Sequence, residues 1–167
     1  SQINLGWDEL DTQKFGYQVS RKSALGSLLF NYSQIDTDGI SAADAIDGNT
    51  EKDGYKNRQF RFHMTENLDK NLELQIQHYQ VYANLEYDGG FPLVDQDLRA
   101  STRQAISKIG FIKNHSDGLE KFLYSKHLID RASPDDFRGE VRQLQWNRQF
   151  TFEKHNFLIG AENQWDE

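Results

Sequence analysis

Apolar and polar residues alternate along much of the chain with a period of two. The clearest stretch, residues 56–65, divides its side chains between two faces. One face carries three apolar residues and the other four polar ones: Phe60, Phe62 and Met64 against Gln59, Arg61, His63 and Thr65. Because side chains point alternately to opposite sides of an extended strand, this pattern predicts a two-faced β-strand.

The same division recurs along the chain, with apolar sets at Leu28, Phe30 and Tyr32, at Leu72, Leu74 and Ile76, at Leu144, Trp146, Phe150 and Phe152, and at Phe157, Ile159 and Ala161. We predict roughly nine strands, each long enough to cross an outer membrane when tilted, which needs about ten residues. Two of them, 101–114 and 119–131, alternate less regularly because lysines fall on both faces.

Short and long connections between these strands are expected to alternate along the chain. Short turns are predicted near residues 21–25, 66–71, 114–118 and 153–156, and long polar loops at 36–55, 88–100 and 130–139. An antiparallel up-and-down meander places all the short turns at one end and all the long loops at the other, as in outer-membrane barrels.

Two architectures use such faces. In a transmembrane barrel the Phe-rich face meets lipid, whereas in a soluble barrel or sandwich it packs inward. The long Gln, Arg, Glu and His side chains of the opposite face suit a wide, wet lumen, and the segregated loop lengths favour the membrane barrel. His78 and Arg148 interrupt the apolar face and are expected at its margins, where long polar side chains reach water.

Composition agrees with a β-rich chain. Hydrophobic residues make up 37% of the chain and mean hydropathy is −0.81, yet aromatic residues reach 13%, and aromatic residues favour strands. A net charge of −7 disfavours nucleic acid as a partner. The absence of cysteine excludes disulfides and thiol chemistry. The opening SQINLGW has no signal-peptide character, so we expect a mature protein or an excerpt of one.

Catalytic signatures are absent from the sequence, which contains no G-x-S-x-G, Walker loop, G-x-G-x-x-G or H-E-x-x-H motif. The five histidines are widely separated and show no metal-ligand spacing. We therefore expect a protein that is not an enzyme. A hydrolase using paired loop carboxylates is the weakest of the functional hypotheses, because no base or nucleophile arrangement accompanies the acids.

Acidic residues concentrate in the first two long loops, at Asp36, Asp38, Asp44, Asp47, Glu51, Asp53, Asp88, Asp95 and Asp97. Calcium takes six to eight oxygen ligands in flexible geometry, which such loops can supply. Asp-Gly pairs are also common in ordinary turns, and the spacing does not match an EF-hand. The residues alone leave open a calcium site and loops that are acidic because they are solvated.

At these loops the chain resembles the cobalamin transporter branch of the TonB-dependent outer-membrane receptors. The matching segments are LGW near the start, GSLLFNYSQIDTDGIS, GNTEKDGY, LEYDGGFPLVD and the closing IGAENQWDE. The resemblance spans nearly the whole chain in order, and siderophore receptors share its motifs. It implies about nine strands of a barrel of about twenty-two, whose plug domain and TonB box are not in this sequence.

The resemblance also implies a calcium site, with ligands at Glu51, Asp53, Asp88 and Asp95. Glu51 stands where that family has an aspartate, and Ser41 where another acidic ligand is expected, a place that Asp44 would fill from the same loop.

The expected function is therefore uptake of cobalamin, or of an iron–siderophore complex, across the bacterial outer membrane. Its partners would be the nutrient, outer-membrane lipid, and TonB through the missing plug. The alternative is a soluble or surface β-sheet binding module whose acidic loops recognise a cation or a sugar.

Overall fold

A computed structural model describes residues 1–40, 52–89, 94–132 and 135–167 of the chain. These residues form one sheet of nine strands: β1 (Gln2–Asp8), β2 (Thr12–Ser23), β3 (Gly26–Thr37), β4 (Tyr55–Asp69), β5 (Leu72–Gly89), β6 (Val94–His115), β7 (Gly118–Ala132), β8 (Phe137–Phe152) and β9 (His155–Asp166). No helix that is long and apolar enough to cross a membrane occurs in these ranges.

Every strand pairs antiparallel with the next one along the chain, so the spatial order is β1 to β9 without a crossover. This confirms the prediction of an all-β, antiparallel up-and-down meander. The less regular stretches are also strands: 101–114 lies within β6 and 119–131 within β7.

The strand register keeps apolar side chains on one side of the sheet. Phe60 on β4 lies opposite Tyr32 on β3 and Gln80 on β5, and Phe111 on β6 lies opposite Phe122 on β7. We call this side the apolar face. The other side, which carries Gln59, Arg61, His63 and their cross-strand neighbours, is the polar face. The predicted division of side chains between two faces is thereby confirmed.

Aromatic rings contact one another across the strands of the apolar face. The ring centroids of Phe30 and Phe60 are 5.3 Å apart in an edge-on arrangement, and those of Tyr17 and Phe30 are 6.0 Å apart. Near the sheet's last edge, Phe150 and Phe157 stack at 5.3 Å. Such cross-strand pairs contribute roughly 0.2–1 kcal/mol each and favour this register.

Four two-residue turns, at 24–25, 70–71, 116–117 and 153–154, lie at one end of the sheet, which we call the turn end. All four fall where short turns are predicted. Two of these turns are followed by a glycine. A Cβ on Gly26 or Gly118 would lie 2.0 or 2.1 Å from the carbonyl oxygen of the adjacent strand, and both residues have positive φ.

We call the opposite end the loop end. Two of the long loops predicted there are shorter than expected. The strands continue into segments assigned as loop, so β5 and β6 are separated only by 90–93, and β7 and β8 only by 133–136. The cause is that cross-strand pairing persists there, as between Tyr87 and Leu98 and between Arg131 and Phe137. Only the β3–β4 connection, 38–54, keeps roughly its predicted length.

The sheet is a single layer with almost no interior. Among the described residues only Ala105 is a buried apolar residue, and each strand contacts only its neighbours in sequence. The accessible surface is 12019 Å², against about 8,500 Å² for a compact monomer of 19.4 kDa. In the ranges described, the sheet neither closes into a barrel nor folds into a sandwich, and both faces are open.

The turn glycines allow a direct test of the packing at the turn end. We expect Gly118→Ala to lower the free energy of unfolding by about 1–3 kcal/mol, because the added Cβ meets backbone and φ is positive. Gly16→Ala is the control, since its Cβ would make ordinary contacts of 3.6–4.0 Å with Asn4. Urea unfolding of both variants in the same lipid or detergent measures the difference, and equal midpoints would contradict this account of the turn.

Candidate functional site

Charged residues bound the apolar face on four strands, β4, β6, β7 and β8. Towards the loop end they are Arg58, Arg103, Lys126 and Arg142, and towards the turn end Glu66, Lys113, Glu120 and Arg148. From Arg103 to Lys113 the strand rises roughly 33 Å, or about 25 Å at a tilt of about 40°. That height is close to the apolar band of an outer-membrane barrel. The bounding charges are closer on the other three strands, roughly 26 Å apart along β4 and roughly 20 Å apart along β7 and β8.

The band between these charges is uncovered. Phe111 and Phe122 are cross-strand neighbours next to its turn-end margin, and they are 41% and 46% exposed. Ile109, on the same strand as Phe111, is 41% exposed. A contiguous exposed apolar surface of this kind marks contact with a membrane or another protein.

Two of the charged groups at the turn-end margin, Glu120 and Arg148, have polar partners. Trp146 donates its indole N–H to Glu120 over 2.8 Å, and the same carboxylate lies 3.1 Å from the ring of His115. Arg148 contacts Asp117 in the neighbouring turn at 2.6 Å. Arg148 therefore lies near the end of the band, where it is predicted.

His78 is also predicted at the margin of the apolar face, and this prediction is wrong. It sits inside the band on β5, with its ring centroid 5.6 Å from that of Phe60. Its Nδ1 lies 2.9 Å from the hydroxyl oxygen of Ser107. This partner on β6 satisfies the polar atom, so the residue need not reach the margin.

The polar face carries amide and charged side chains that bond along and across its strands. The amides of Gln143 and Gln145 both donate to Glu162, over 2.7 and 2.9 Å. Arg61 lies over the ring of Tyr79, 5.4 Å from its centroid. Such a surface is compatible with water and with polar ligands.

Glu86 joins two connections at the loop end. Its carboxylate accepts a hydrogen bond from the Gly54 amide over 3.2 Å, and its own amide donates to the Gly54 carbonyl over 2.9 Å. Arg99, its partner on β6, lies 3.2 Å from the other carboxylate oxygen. The end of the β3–β4 connection is thus held against the β5–β6 hairpin. We call these contacts the Glu86 junction.

Ion pairs and a close backbone contact hold the β3–β4 connection further. Lys52 lies 3.2 Å from Asp11 in the β1–β2 turn and 3.6 Å from Asp38, and the pair with Asp11 raises the pKa of Lys52. The Asp53 amide donates to the carbonyl of Ile40 over 3.2 Å. The two ends of this connection therefore lie side by side.

The predicted calcium ligands are only partly described. Asp53 precedes Gly54 and Asp88 follows Glu86 by two residues, so both lie next to the Glu86 junction. Asp44 and Glu51 lie outside the described residues, and Asp95 is described only as a backbone position at the start of β6. Within the described ranges, no three His, Asp or Glu side chains are grouped to hold a metal ion. The calcium site stays a prediction.

Sequence reasoning missed Glu86, because its role depends on register. Glu86 fits the period-two pattern of its strand, and nothing in the segment LEYDGG marks it as the partner of Gly54. The pairing of Tyr55 with Leu85 places it there.

The fold and its two surfaces define an antiparallel meander sheet with one apolar and one polar face. Comparison of the sequence with models of known protein families and with curated proteins finds no match.

The Arg148–Asp117 pair predicts an acid-sensitive component of stability. The hydrogen bond from Arg148 lowers the pKa of the Asp117 carboxyl below its ordinary value of 3.8. A lowered pKa in the folded state contributes stability above pH 3.8, and that contribution is lost as the pH falls through the lowered value. We expect the urea midpoint of Asp117→Asn to fall less between pH 5 and pH 2.5 than that of the unmodified chain. Parallel pH profiles would contradict the pairing.

Proposed function

We propose that this chain forms part of the barrel of a TonB-dependent outer-membrane receptor, with cobalamin as the leading cargo and an iron–siderophore complex as the second. The observation that carries the proposal is the uncovered apolar band, bounded by charged residues on both sides. On β6 its height, about 25 Å at a tilt of about 40°, is close to that of the apolar band of an outer-membrane barrel. The resemblance of the loop segments supplies the receptor class and the cargo.

Energetics favour lipid over water as the environment of the apolar face. Burying an aromatic or aliphatic side chain is worth about 1.5–3 kcal/mol relative to exposure, and the band exposes many such residues, among them Ile109, Phe111, Phe122, Phe157 and Ile159. In water this surface would drive aggregation. In a bilayer it would stabilise the sheet, and the backbone groups of the inner strands are already paired.

The edges of the sheet favour membership of a larger barrel. Counting from β1, the ninth strand runs in the same direction as the first, so β1 and β9 could close only as a parallel pair. Outer-membrane barrels are antiparallel with an even number of strands. The nine strands would then belong to a larger barrel, in which β1 and β9 pair with further strands, and the resemblance implies a total of about twenty-two.

In this arrangement the polar face lines the lumen around a plug, and the loop end faces outward to receive cargo. The Glu86 junction holds the bases of the two acidic loops together. Calcium bound by Asp53 and Asp88, with Glu51, Asp95 and Asp44, would order those loops before the cargo arrives. The donor set fits the ion, because carboxylate oxygens are the ligands that calcium prefers.

The orientation of the faces can be tested by single-cysteine labelling, because the chain contains no cysteine. Phe62→Cys and Leu144→Cys place a fluorescent label on the apolar face, and His63→Cys and Gln143→Cys are matched controls one residue away on the polar face. After reconstitution into vesicles, we expect brominated lipid to quench the first two labels at least several-fold more than the controls.

Equal quenching of all four labels would contradict the proposal. So would a chain that stays soluble and monomeric without detergent while all four labels report water. That second result would favour the soluble binding module instead.

Calcium dependence is a separate prediction of the receptor proposal. We expect the chain to bind calcium in calorimetry, and the double substitution Asp53→Asn with Asp88→Asn to weaken binding at least tenfold, because it removes two anionic ligands. Asp135→Asn with Asp136→Asn removes the same charge at the same end and serves as the control. Cobalamin binding should also weaken when calcium is chelated.

Two results would contradict this calcium site. One is a chain that does not bind calcium, and the other is an equal loss of affinity in both double variants. Cobalamin binding that is unchanged after chelation would remove the link between the metal and the cargo.

A further inference from the structure

A shallow depression of about 360 Å³ lies on the polar face and extends from β3 to β6. Two adjacent rows of cross-strand neighbours form it. One row is His63, Gln77 and Lys108, and the other is Arg61, Tyr79 and Ile106. Leu29 closes its β3 side. Its lining therefore combines apolar side chains, such as Leu29 and Ile106, with several polar groups.

These polar groups are mainly hydrogen-bond donors, and two are permanent cations. Arg61 carries five N–H donors and Lys108 three. Gln77 adds an amide, whose nitrogen lies 3.5 Å from the Nε2 of His63. Strands lie about 4.8 Å apart and residues about 3.3 Å apart along a strand, so the Cα atoms of Arg61 and Lys108, two strands and two residues apart, are roughly 12 Å from each other. Their side chains are long enough to reach an anion that lies between them.

No acidic side chain in the described ranges neutralises these cations. Neither Arg61 nor Lys108 forms an ion pair there, and Arg61's contact is with the ring of Tyr79. The nearest carboxylate on this face of β5, Glu73, lies four residues from Gln77, or roughly 13 Å along the strand. Glu73 itself accepts a hydrogen bond from Gln75.

The position of the two cations in one depression, more than their lack of ion pairs, makes this pattern informative. The chain has 26 acidic and 19 basic residues, so carboxylates are plentiful. On the apolar face, Lys56, Arg99, Lys126, Arg142 and Arg148 each contact one within 4 Å. Arg58, Arg103 and Lys113 on that face form no ion pair with a described residue. Two unneutralised cations in a depression of so acidic a chain are complementary to an anionic ligand.

The Tyr79 ring holds the guanidinium of Arg61 in place. A cation over an aromatic face is attracted by about 0.5–1 kcal/mol at an exposed site. The contact restricts the side chain of Arg61, which reaches from β4 to Tyr79 on β5, and leaves its N–H groups available to a ligand. A planar guanidinium held in this way matches the two oxygens of a carboxylate or phosphate.

We infer that this depression binds an oxyanion, a small molecule bearing a phosphate or carboxylate group, through Arg61 and Lys108 with Gln77 and His63 beside them. The inference goes beyond the proposed receptor function and does not depend on it, because it concerns the polar face in either a barrel or a soluble module.

The test titrates the full chain, in a non-ionic detergent free of phosphate groups, with inorganic phosphate and separately with citrate in a calorimeter. We expect saturable binding of at least one of them. Arg61→Gln with Lys108→Gln should weaken it at least tenfold, which corresponds to about 1.4 kcal/mol. Lys22→Gln with Lys121→Gln is the control, because it removes the same charge from the same face outside the depression.

Arg61→Lys separates geometry from charge, since it keeps the cation and loses the guanidinium fork. We expect it to weaken binding less than the double variant and more than the control. Circular dichroism of each variant confirms that the sheet is retained. The inference is overturned if neither anion binds saturably, or if the control weakens binding as much as the double variant. The labelling of the two faces is read out independently, so either proposal can fail alone.

Discussion

The whole arrangement depends on one constraint, the shared register of eight antiparallel strand pairs. The side-chain period is two, so a slip of one residue in any pair would move a strand's apolar set to the opposite face. A protein with a packed interior can absorb local disorder in one strand, but this sheet has no second layer to hold it. Its register is maintained by two-residue turns, by Gly26 and Gly118 against neighbouring backbone, and by aromatic pairs such as Phe30 with Phe60.

Ion pairs form at several points on the margins of the apolar face. Glu140, for example, neutralises Lys126 and Arg142 at 2.8 and 2.6 Å. Pairing reduces the cost of placing a charge near an apolar environment. The centre of the polar face leaves Arg61 and Lys108 without acidic partners in the described ranges. Water or a ligand can solvate charges there, so pairing is unnecessary.

The strands and turns were predictable because a period of two is a local signal that any single strand displays. The extension of β5 and β6 was not, since Asp, Gly and Pro in residues 88–100 have the composition of a loop. There, pairing between two strands outweighs local propensity. His78 was misplaced for a similar reason, because Ser107 is brought to it only by the β5–β6 register. Arg61 and Lys108 are far apart in sequence, and their proximity also depends on register. The calcium ligands draw on a family resemblance, and Asp44 and Glu51 lie outside the described residues.

The two proposed binding sites, one for calcium and one for an oxyanion, would influence each other through the electrostatic field of the protein. The loop end is rich in carboxylates, among them Asp11, Asp38, Asp53, Asp88, Asp135 and Asp136, and such a rim repels an approaching anion over a Debye length of about 8 Å. An oxyanion that reaches the cationic depression from that side must cross this rim. Calcium at the rim would cancel part of the negative potential while it orders the loops. The metal would then act on anion entry through charge, in addition to any contact it makes with cargo, and its effect on the rate of entry would diminish as salt screens the rim.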